Sequence, residues 1–275
     1  MSNQERKQQH IYIMLGVVLL GAALLFFVPP IAQPLAYHNF ADSRSIIGIP
    51  NFMDVISNLL ILFAGSYGLK LLLDPRDGVQ RSHFESSIEA IPYITFFMGA
   101  VLTSFGSAYY HISPDNFSLA WDRLPITIMI TSFLAAVISE RIHQKTGLIL
   151  LPLLVGVGIF SVWHWHQTEL AGAGDLRLYL AVQFLPILLS LYMLFFLRSR
   201  YSRGDYFGWA ILLYALAKAA EIFDHDIFTL LLQWVSGHTL KHVFVAIAVL
   251  ILAEMLRCRI PVNKVQQAVS ELDDY

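Results

Sequence analysis

The chain has 275 residues, of which 56% are hydrophobic and 14% are charged, and its formal net charge at pH 7 is −2. A typical soluble domain carries about 25% charged residues, so this composition excludes an ordinary soluble enzyme and also a disordered chain. The single cysteine, Cys258, excludes a disulfide framework and any multi-cysteine metal site. The charge balance gives no electrostatic reason to expect nucleic-acid binding.

Eight apolar stretches are long enough to cross a bilayer as helices, which takes about 20 residues each. In chain order they are Ile11–Val28, Asn51–Leu73, Ile88–His111, Leu124–Glu140, Leu148–Trp165, Leu176–Leu197, Tyr206–Phe223 and His238–Leu256. Their short connections favour antiparallel packing of successive helices. We therefore predict an all-α, polytopic membrane helix bundle, with a seven-helix core and one extra N-terminal transmembrane helix.

Three segments are expected along the chain. Residues 1–30 hold a short polar start and the extra helix, residues 31–260 the core, and residues 261–275 a polar tail. The first apolar run is long for a signal peptide and is followed by Pro29-Pro30 rather than a small-residue cleavage motif, which indicates a retained anchor.

Lysine and arginine are distributed unevenly between the two sides of this arrangement. With the N-terminus in the cytoplasm, 13 of the 18 fall inside, Lys218 falls within a span, and four fall outside: Arg44, Arg123, Arg177 and Lys241. The positive-inside rule then predicts that both termini are cytoplasmic.

Three histidines are the strongest functional signal. His238 and His242 are four residues apart, so they share one face of a helix and can reach one metal ion. The alternative is that they cap or pack a helix start. His111 ends a span that runs outward, and His238 begins one that runs inward, so all three lie near the outer face. Three neutral histidines leave an open fourth position, as a catalytic zinc requires.

Ser107 and Asp122 lie at the same predicted depth as these histidines. Ser107 precedes His111 by four residues, and Asp122 follows it by eleven. Each has a simpler interpretation as well. Asp122 could cap a helix that begins near Leu124, with Pro125 in its first turn, and Ser107 could be a small residue that allows close helix packing.

Other polar residues within the spans have structural interpretations. Lys218 and Glu221 are three residues apart and are expected to form an intramembrane ion pair. Asp54 and Asn58 share a helix face and are expected to hydrogen-bond between helices, with support of the metal ligands as a further option. His164 and His166 flank Trp165, where an interfacial aromatic belt is favoured over a second metal site.

The ordered set Ser107-x-x-x-His111, Asp122 and His238-x-x-x-His242 resembles the alkaline ceramidase family. That family belongs to the CREST superfamily of seven-helix membrane hydrolases, which also includes the adiponectin receptor group. The segment Asn51–Asn58 is similar to the start of the family's first core helix, and the resemblance spans roughly residues 37–257.

The resemblance implies a zinc-dependent hydrolase that cleaves the amide bond of a ceramide-like membrane lipid. It implies that His111, His238 and His242 bind zinc, that Asp122 activates a zinc-bound water, and that Ser107 orients this water or stabilises the oxyanion. The family's acidic calcium-binding stretch corresponds here to residues 37–44, where Asp42 is the only acid, and Asn51 stands where the family has glutamate. This departure makes calcium, and transfer of the exact substrate, doubtful.

Other functions are compatible with the same residues. The machinery could cleave another lipid amide or an ester, or the chain could be a seven-helix receptor or sensor with a structural zinc. A transporter is disfavoured, because the two halves show no matching pair of Gly/Pro-broken spans. The short loops and the missing acidic stretch favour a bacterial inner membrane.

Overall fold

The computed structural model describes residues 3–74 and 83–263 of the chain as a bundle of helices. Along these residues we number ten α-helices: α1 Asn3–Phe27, α2 Phe52–Ile56, α3 Asn58–Leu73, α4 Ile91–Ile112, α5 Asn116–Arg141, α6 Gln144–Leu170, α7 Arg177–Phe196, α8 Asp205–Ile222, α9 Asp224–Leu230 and α10 Gly237–Cys258. The described ranges contain no β-strand, and the all-α prediction is confirmed. Most of the predicted tail, and the loop arginines Arg76 and Arg81, lie outside the described residues.

Seven helical segments in the described residues are long and apolar enough to cross a membrane, with α2 and α3 together forming one of them. The seventh predicted stretch, Tyr206–Phe223, is different. Helix α8 carries Asp205, Lys218 and Glu221, and it qualifies only together with α9, from which it is bent by 83°. Large apolar side chains point outward around the bundle, including Phe63, Ile149 and Phe195, which are 68–75% exposed. A surface of this kind suits a lipid environment.

Helix α5 is the centre of the bundle. In its most apolar stretch, 83% of the residues are buried, and it packs against α4, α6 and α7. Helix α10 packs against α3 and α8 on the other side of α4. Helix α4 contacts both α3 and α5. The end of α4 and the start of α10 come together at one end of the bundle, where the His111 ring lies against the His238 ring.

The start of α5 differs from the prediction. The helix begins at Asn116, eight residues before Leu124, because Asp115 caps it in a reciprocal arrangement with Ser118. The Asp115 carboxylate accepts the Ser118 backbone N–H at 2.6 Å, and the Ser118 hydroxyl accepts the Asp115 N–H at 3.1 Å. This capping box satisfies the free donors of the first turn. The interpretation of Asp122 as an N-cap is therefore wrong, since Asp122 lies inside the helix.

Two glycines allow helices to approach closely next to predicted site residues. A Cβ atom on Gly106 would lie 2.2 Å from the carbonyl oxygen of Trp121, so α4 and α5 touch through their backbones beside Ser107. A Cβ atom on Gly237 would lie 2.2 Å from the carbonyl oxygen of Ala220, so the end of α8 touches the start of α10 beside His238. Small residues at such contacts are typical of membrane bundles.

Helix α1 lies on the outside of the core, against α7. Met14 is buried there, and the His10 Nδ1 atom lies 2.7 Å from the Tyr192 hydroxyl. At the other end of α1, Arg177 donates to the carbonyl of Leu25 at 2.7 Å. This peripheral position matches the extra helix expected from the sequence.

The close approach at Gly106 leads to a first prediction. Gly106→Ala must push α5 away from α4, which separates Asp122 from Ser107 and costs about 1–3 kcal/mol through overpacking. We expect a lower thermal unfolding midpoint in detergent, measured by circular dichroism. Gly156→Ala is the matched control, because nothing lies within 4 Å of its added methyl group. Equal midpoints for the two variants would contradict the tight α4–α5 contact.

Candidate metal centre

His111, His238 and His242 form one buried cluster. One ring nitrogen from each lies within 4.8 Å of the others, and the three residues are 1–4% exposed. His111 comes from the last turn of α4, whereas His238 and His242 come from the first two turns of α10. The prediction that these three histidines meet is confirmed, and the group could hold a metal ion.

The chain between α1 and α2 covers this cluster. The Phe40 ring lies 4.6 Å from the His111 ring and 4.9 Å from the His238 ring, measured between centroids. Asp224 holds the segment in place, because its carboxylate accepts the N–H of Ala41 at 2.9 Å and that of His238 at 2.8 Å. Sequence reasoning missed both Phe40 and Asp224, since neither stands in a recognisable spacing with the histidines.

Asn51 lies in the same segment, between α1 and α2, that covers the histidine cluster. Its side-chain amide donates to the His111 carbonyl at 2.8 Å, which satisfies an otherwise free carbonyl at the end of α4. The Asp42 carboxylate accepts two bonds from the Arg44 guanidinium, the Nε bond measuring 2.7 Å. The side chains of Asn51 and Asp42 are therefore both engaged by other groups of the protein.

Ser57 determines which nitrogen His242 presents. The Ser57 hydroxyl lies 2.7 Å from His242 Nδ1 and donates its own hydrogen to the Asp54 carbonyl at 3.2 Å. The hydroxyl oxygen must then accept the Nδ1–H of His242, because its single hydrogen is already used. This assigns the neutral tautomer that leaves a lone pair on Nε2, the form that a metal needs.

The predicted role of Asp54 is confirmed in part. Its carboxylate accepts hydrogen bonds from Thr239 at 2.7 Å and from Ser236 at 3.1 Å, which link α2 to the start of α10. Asn58 differs from the expectation, since its amide donates at 2.8 Å to the Asp54 carbonyl one turn earlier rather than between helices. Together Asp54 and Ser57 hold the first turns of α10, and so its two histidines, against α2.

Ser107 and Asp122 both lie beside the histidine cluster. The Ser107 hydroxyl is 3.4 Å from His242 Nε2, the nitrogen that the Ser57 bond leaves free. Asp122 is 4% exposed. Ser107, Asp122 and His242 line one cavity of about 690 Å³ between the helices. The structure thus brings all five predicted site residues to one place.

A charged network lines the same cavity. The predicted pair is confirmed, with Lys218 Nζ 2.6 Å from Glu221, and Lys241 Nζ also lies 2.6 Å from this carboxylate. The Tyr37 hydroxyl donates to Glu221 at 2.9 Å. Burial and the Glu221 charge raise the pKa of Tyr37, so the phenol stays protonated and remains a donor. The Glu221 carboxylate therefore accepts hydrogen bonds from three donors and forms an ion pair with both lysines.

Lys241 also touches the metal centre. Its ammonium lies 3.2 Å from His238 Nε2. A metal bound at this nitrogen would need the same lone pair. A positive ammonium and a metal cation compete for the same atom. Glu221 offers Lys241 another partner at 2.6 Å, so Lys241 can give up the histidine contact and remain paired.

Arg123 was expected in an outer loop, but it lies inside α5 and is 5% exposed. Its guanidinium stacks on the rings of Trp165 and Tyr179, 4.3 and 4.6 Å from their centroids, and donates to Gln33 at 2.6 Å. Lys241, in the first turns of α10, is also largely buried, with 12% of its side chain exposed. Two of the four cations assigned to the outer side thus face the protein interior.

The remaining histidines at this end of the bundle make structural contacts. His38 lies 2.9 Å from the Tyr110 hydroxyl and 3.0 Å from Asn116. His225 lies 3.1 Å from the Asn39 carbonyl, and the His164 Nε2 atom is 3.7 Å from Asp175. His166 packs edge-on against Phe117. Over the described residues, His111, His238 and His242 are the one cluster of potential ligands.

An apolar cavity of about 480 Å³ adjoins the polar one. The two share four lining residues, Met129, Ile130, Tyr214 and Val245. The polar groups therefore lie next to a space that only hydrocarbon would fill favourably.

Comparison with known proteins finds no matching family profile and no matching curated protein. The fold and the site define a helical bundle suited to a membrane, with a buried three-histidine group that could hold a metal ion.

The Ser57 contact leads to a second prediction. Ser57→Ala removes the partner of His242 Nδ1, and loss of such an outer partner lowers metal affinity about 10–100-fold. The measurement is zinc affinity by competition with a chelator. Ser190→Ala serves as the control, because the Ser190 hydroxyl is buried without a hydrogen-bond partner in the described structure. Unchanged affinity in Ser57→Ala would show that Ser57 does not orient the ligand.

The Lys241 contact leads to a third prediction. Lys241→Met removes the cation that competes for His238 Nε2, so we expect zinc to bind several-fold more tightly by the same chelator competition. Lys218→Met is the matched control, since Lys218 pairs with the same Glu221 carboxylate but makes no contact with a histidine that the structure records. Weaker binding in Lys241→Met would instead mean that Lys241 orients His238.

Proposed function

We propose that this chain is a zinc-dependent intramembrane hydrolase that cleaves the amide bond of a ceramide-like lipid, as its resemblance to the alkaline ceramidase family implies. The observation that carries the proposal is the position of three buried histidines beside Ser107 and Asp122 in a cavity that adjoins an apolar one. Within the described residues, this is where potential metal ligands, a carboxylate and a hydroxyl meet.

The donor set fits zinc. Imidazole nitrogen suits several transition metals, and three neutral histidines are a known ligand set of catalytic zinc, which keeps its fourth position for water or substrate. The Nδ1 atom of His111 is buried and has no hydrogen-bond partner in the described structure, and such an atom is costly unless something binds it. The Ser57 bond leaves His242 with the tautomer that can ligate.

The residues around the metal site have separable roles. When bound, zinc supplies Lewis acidity toward a carbonyl and lowers the pKa of water. Asp122 accepts the proton of the attacking water and returns it to the leaving amine. The Ser107 hydroxyl donates to the oxygen on which negative charge develops, and one such donor is worth roughly 3 kcal/mol. Ser107 and Asp122 line the same cavity beside His242, so both can act on one substrate.

Two adjoining cavities support a lipid as the proposed substrate. The polar cavity offers donors and charges for a headgroup, and the adjoining apolar cavity offers Met129, Ile130 and Val245 to an acyl chain. Exposed apolar side chains surround the bundle, which suits a protein that takes its substrate from a bilayer. A hydrolase of another lipid amide or of an ester would use the same residues.

A receptor or sensor with a structural zinc is the second candidate. Structural zinc sites are closed by four protein ligands, whereas catalytic sites have three. The described cluster contains three potential ligands, and Asp122 and Ser107 lie in the cavity beside it, which favours catalysis. The two functions differ in whether substrate turnover accompanies zinc binding.

The fourth prediction separates ligand from base. His238→Ala should lose both zinc and lipid hydrolysis, because a ligand is removed. Asp122→Asn should keep zinc and lose about 10²–10⁴-fold in turnover, because the proton acceptor is removed while the ligands remain. Zinc is measured by inductively coupled plasma mass spectrometry, and released fatty acid by mass spectrometry from a panel of ceramides, other lipid amides and esters.

His225→Ala is the control for a histidine outside the cluster, since it is exposed and contacts a backbone carbonyl. Full zinc loading and activity in His238→Ala would overturn the proposal. Zinc binding without turnover of any lipid in the panel would favour the receptor or sensor.

A further inference from the structure

A second pocket lies at the opposite end of the bundle from the histidines. It has a volume of about 740 Å³ and is lined by the ends of three helices, α1, α5 and α7, and by the residue pair after α7. Its side chains include Arg6 and Lys7 of α1, Arg141 of α5, and Arg198. Arg141 lies nineteen residues after Asp122 on the same helix, which is about 28 Å away. The two sites are therefore distinct.

The pocket collects positive charge without a carboxylate among its lining residues. Besides the four cations it is lined by His10, Phe196 and Leu197. The Glu140 carboxylate, next to Arg141 in the chain, is occupied by Arg259 and Tyr93. These four like charges come from three segments of the chain, and an anion between them would offset their mutual repulsion.

Arg141 is the most buried of the four basic residues that line this pocket. It is 8% exposed, and its Nη1 atom donates to the carbonyls of Leu194 and Leu197 at the end of α7. Its Nε atom is buried and has no hydrogen-bond partner in the described structure. An unpartnered guanidinium N–H is costly in a protein interior, whereas a phosphate oxygen is the acceptor that guanidinium binds best.

The N-terminal part of α1 contacts the core beside this pocket. Lys7 Nζ donates to the Ile142 carbonyl at the end of α5, and the His10 ring stacks on Phe196 of α7. The N-terminal end of α1 thus reaches the core at this pocket. Cations at the start of a helix are unfavourable by themselves, because the helix dipole is positive there. The same dipole attracts an anion.

We propose that this pocket binds the phosphate of an anionic phospholipid, and that the bound lipid joins α1 to the α5–α7 core. Basic pockets between transmembrane helices recognise such headgroups. The phosphate would lie among Arg6, Arg141 and Arg198, and Phe196 would face the apolar part of the lipid. This proposal does not depend on hydrolase activity at the histidine site.

The experiment uses the full chain, purified in detergent, and native mass spectrometry of its lipid adducts. The probes are phosphatidylglycerol, phosphatidylcholine with the same acyl chains, and inorganic phosphate. We expect phosphatidylglycerol to bind at least tenfold more tightly than phosphatidylcholine, with inorganic phosphate failing to displace it at equal concentration.

Arg6→Gln combined with Arg198→Gln should weaken phosphatidylglycerol binding roughly thirtyfold, since each basic residue contributes to headgroup attraction. Both residues are exposed, so the variant should keep its fold and its unfolding midpoint without added lipid. Lys70→Gln combined with Lys145→Gln is the matched control, because it removes the same charge from exposed helix positions that do not line the pocket. This control should bind like the parent protein.

Three results would overturn the proposal. Equal losses in the two double variants would mean that binding follows overall charge rather than this pocket. Equal binding of phosphatidylcholine would remove the preference for an anionic headgroup. Displacement by inorganic phosphate at equal concentration would identify a free-anion site in place of a lipid site.

Discussion

Each polar group buried between these helices must find its partner within the protein, because the hydrocarbon of a bilayer offers none. The structure meets this constraint at both ends of the bundle. At one end, Glu221 serves Lys218, Lys241 and Tyr37. At the other, Glu140 serves Arg259 and Tyr93. A buried polar atom that has no protein partner therefore indicates a place where a ligand could bind. His111 Nδ1 and Arg141 Nε are two such atoms in the described structure.

The same constraint positions the three clustered histidines. Removing one partner of a buried polar network leaves the rest uncompensated, so the contacts around the histidines are strongly interdependent. Asp54 and Ser57 join α2 to α10, Asn51 joins the segment before α2 to α4, and Asp224 joins Ala41 to His238. These bonds preorganise ligands from two helices that lie far apart in the chain. Such preorganisation would suit the proposed hydrolase, because little rearrangement would be needed during its reaction.

Helix α5 connects the two ends of the molecule. Asp122 lies in its second turn and Arg141 at its end, with a largely buried apolar stretch between them. Since α5 packs against α4, α6 and α7, a shift at either end must be accommodated by three neighbours. The proposed lipid pocket would therefore stabilise the helix that also carries the proposed catalytic base, while the two sites remain chemically separate.

The sequence by itself determined the all-α membrane architecture and the five residues that meet beside one cavity. Long apolar runs and histidines at helical spacing are local features of the sequence. The depth of a residue in the bilayer follows from its position in a span and from the direction in which that span crosses. The Lys218–Glu221 pair was predictable for the same reason, since both residues stand on one helix face.

Only the tertiary structure decided which other groups complete the site. Phe40 and Ser57 reach the histidines through packing between segments far apart in the chain, and no local pattern encodes such contacts. Lys241 stands one helix turn from His238, but its pairing with Glu221 depends on the packing of two helices. The true start of α5 depended on the Asp115–Ser118 capping box, which moved Asp122 from a helix end into the bundle interior. Arg123 and Arg141 became interior residues because aromatic rings and free carbonyls from neighbouring helices surround them. Position along the chain specifies a residue's depth, but the partners that it meets at that depth come from the packing of the helices.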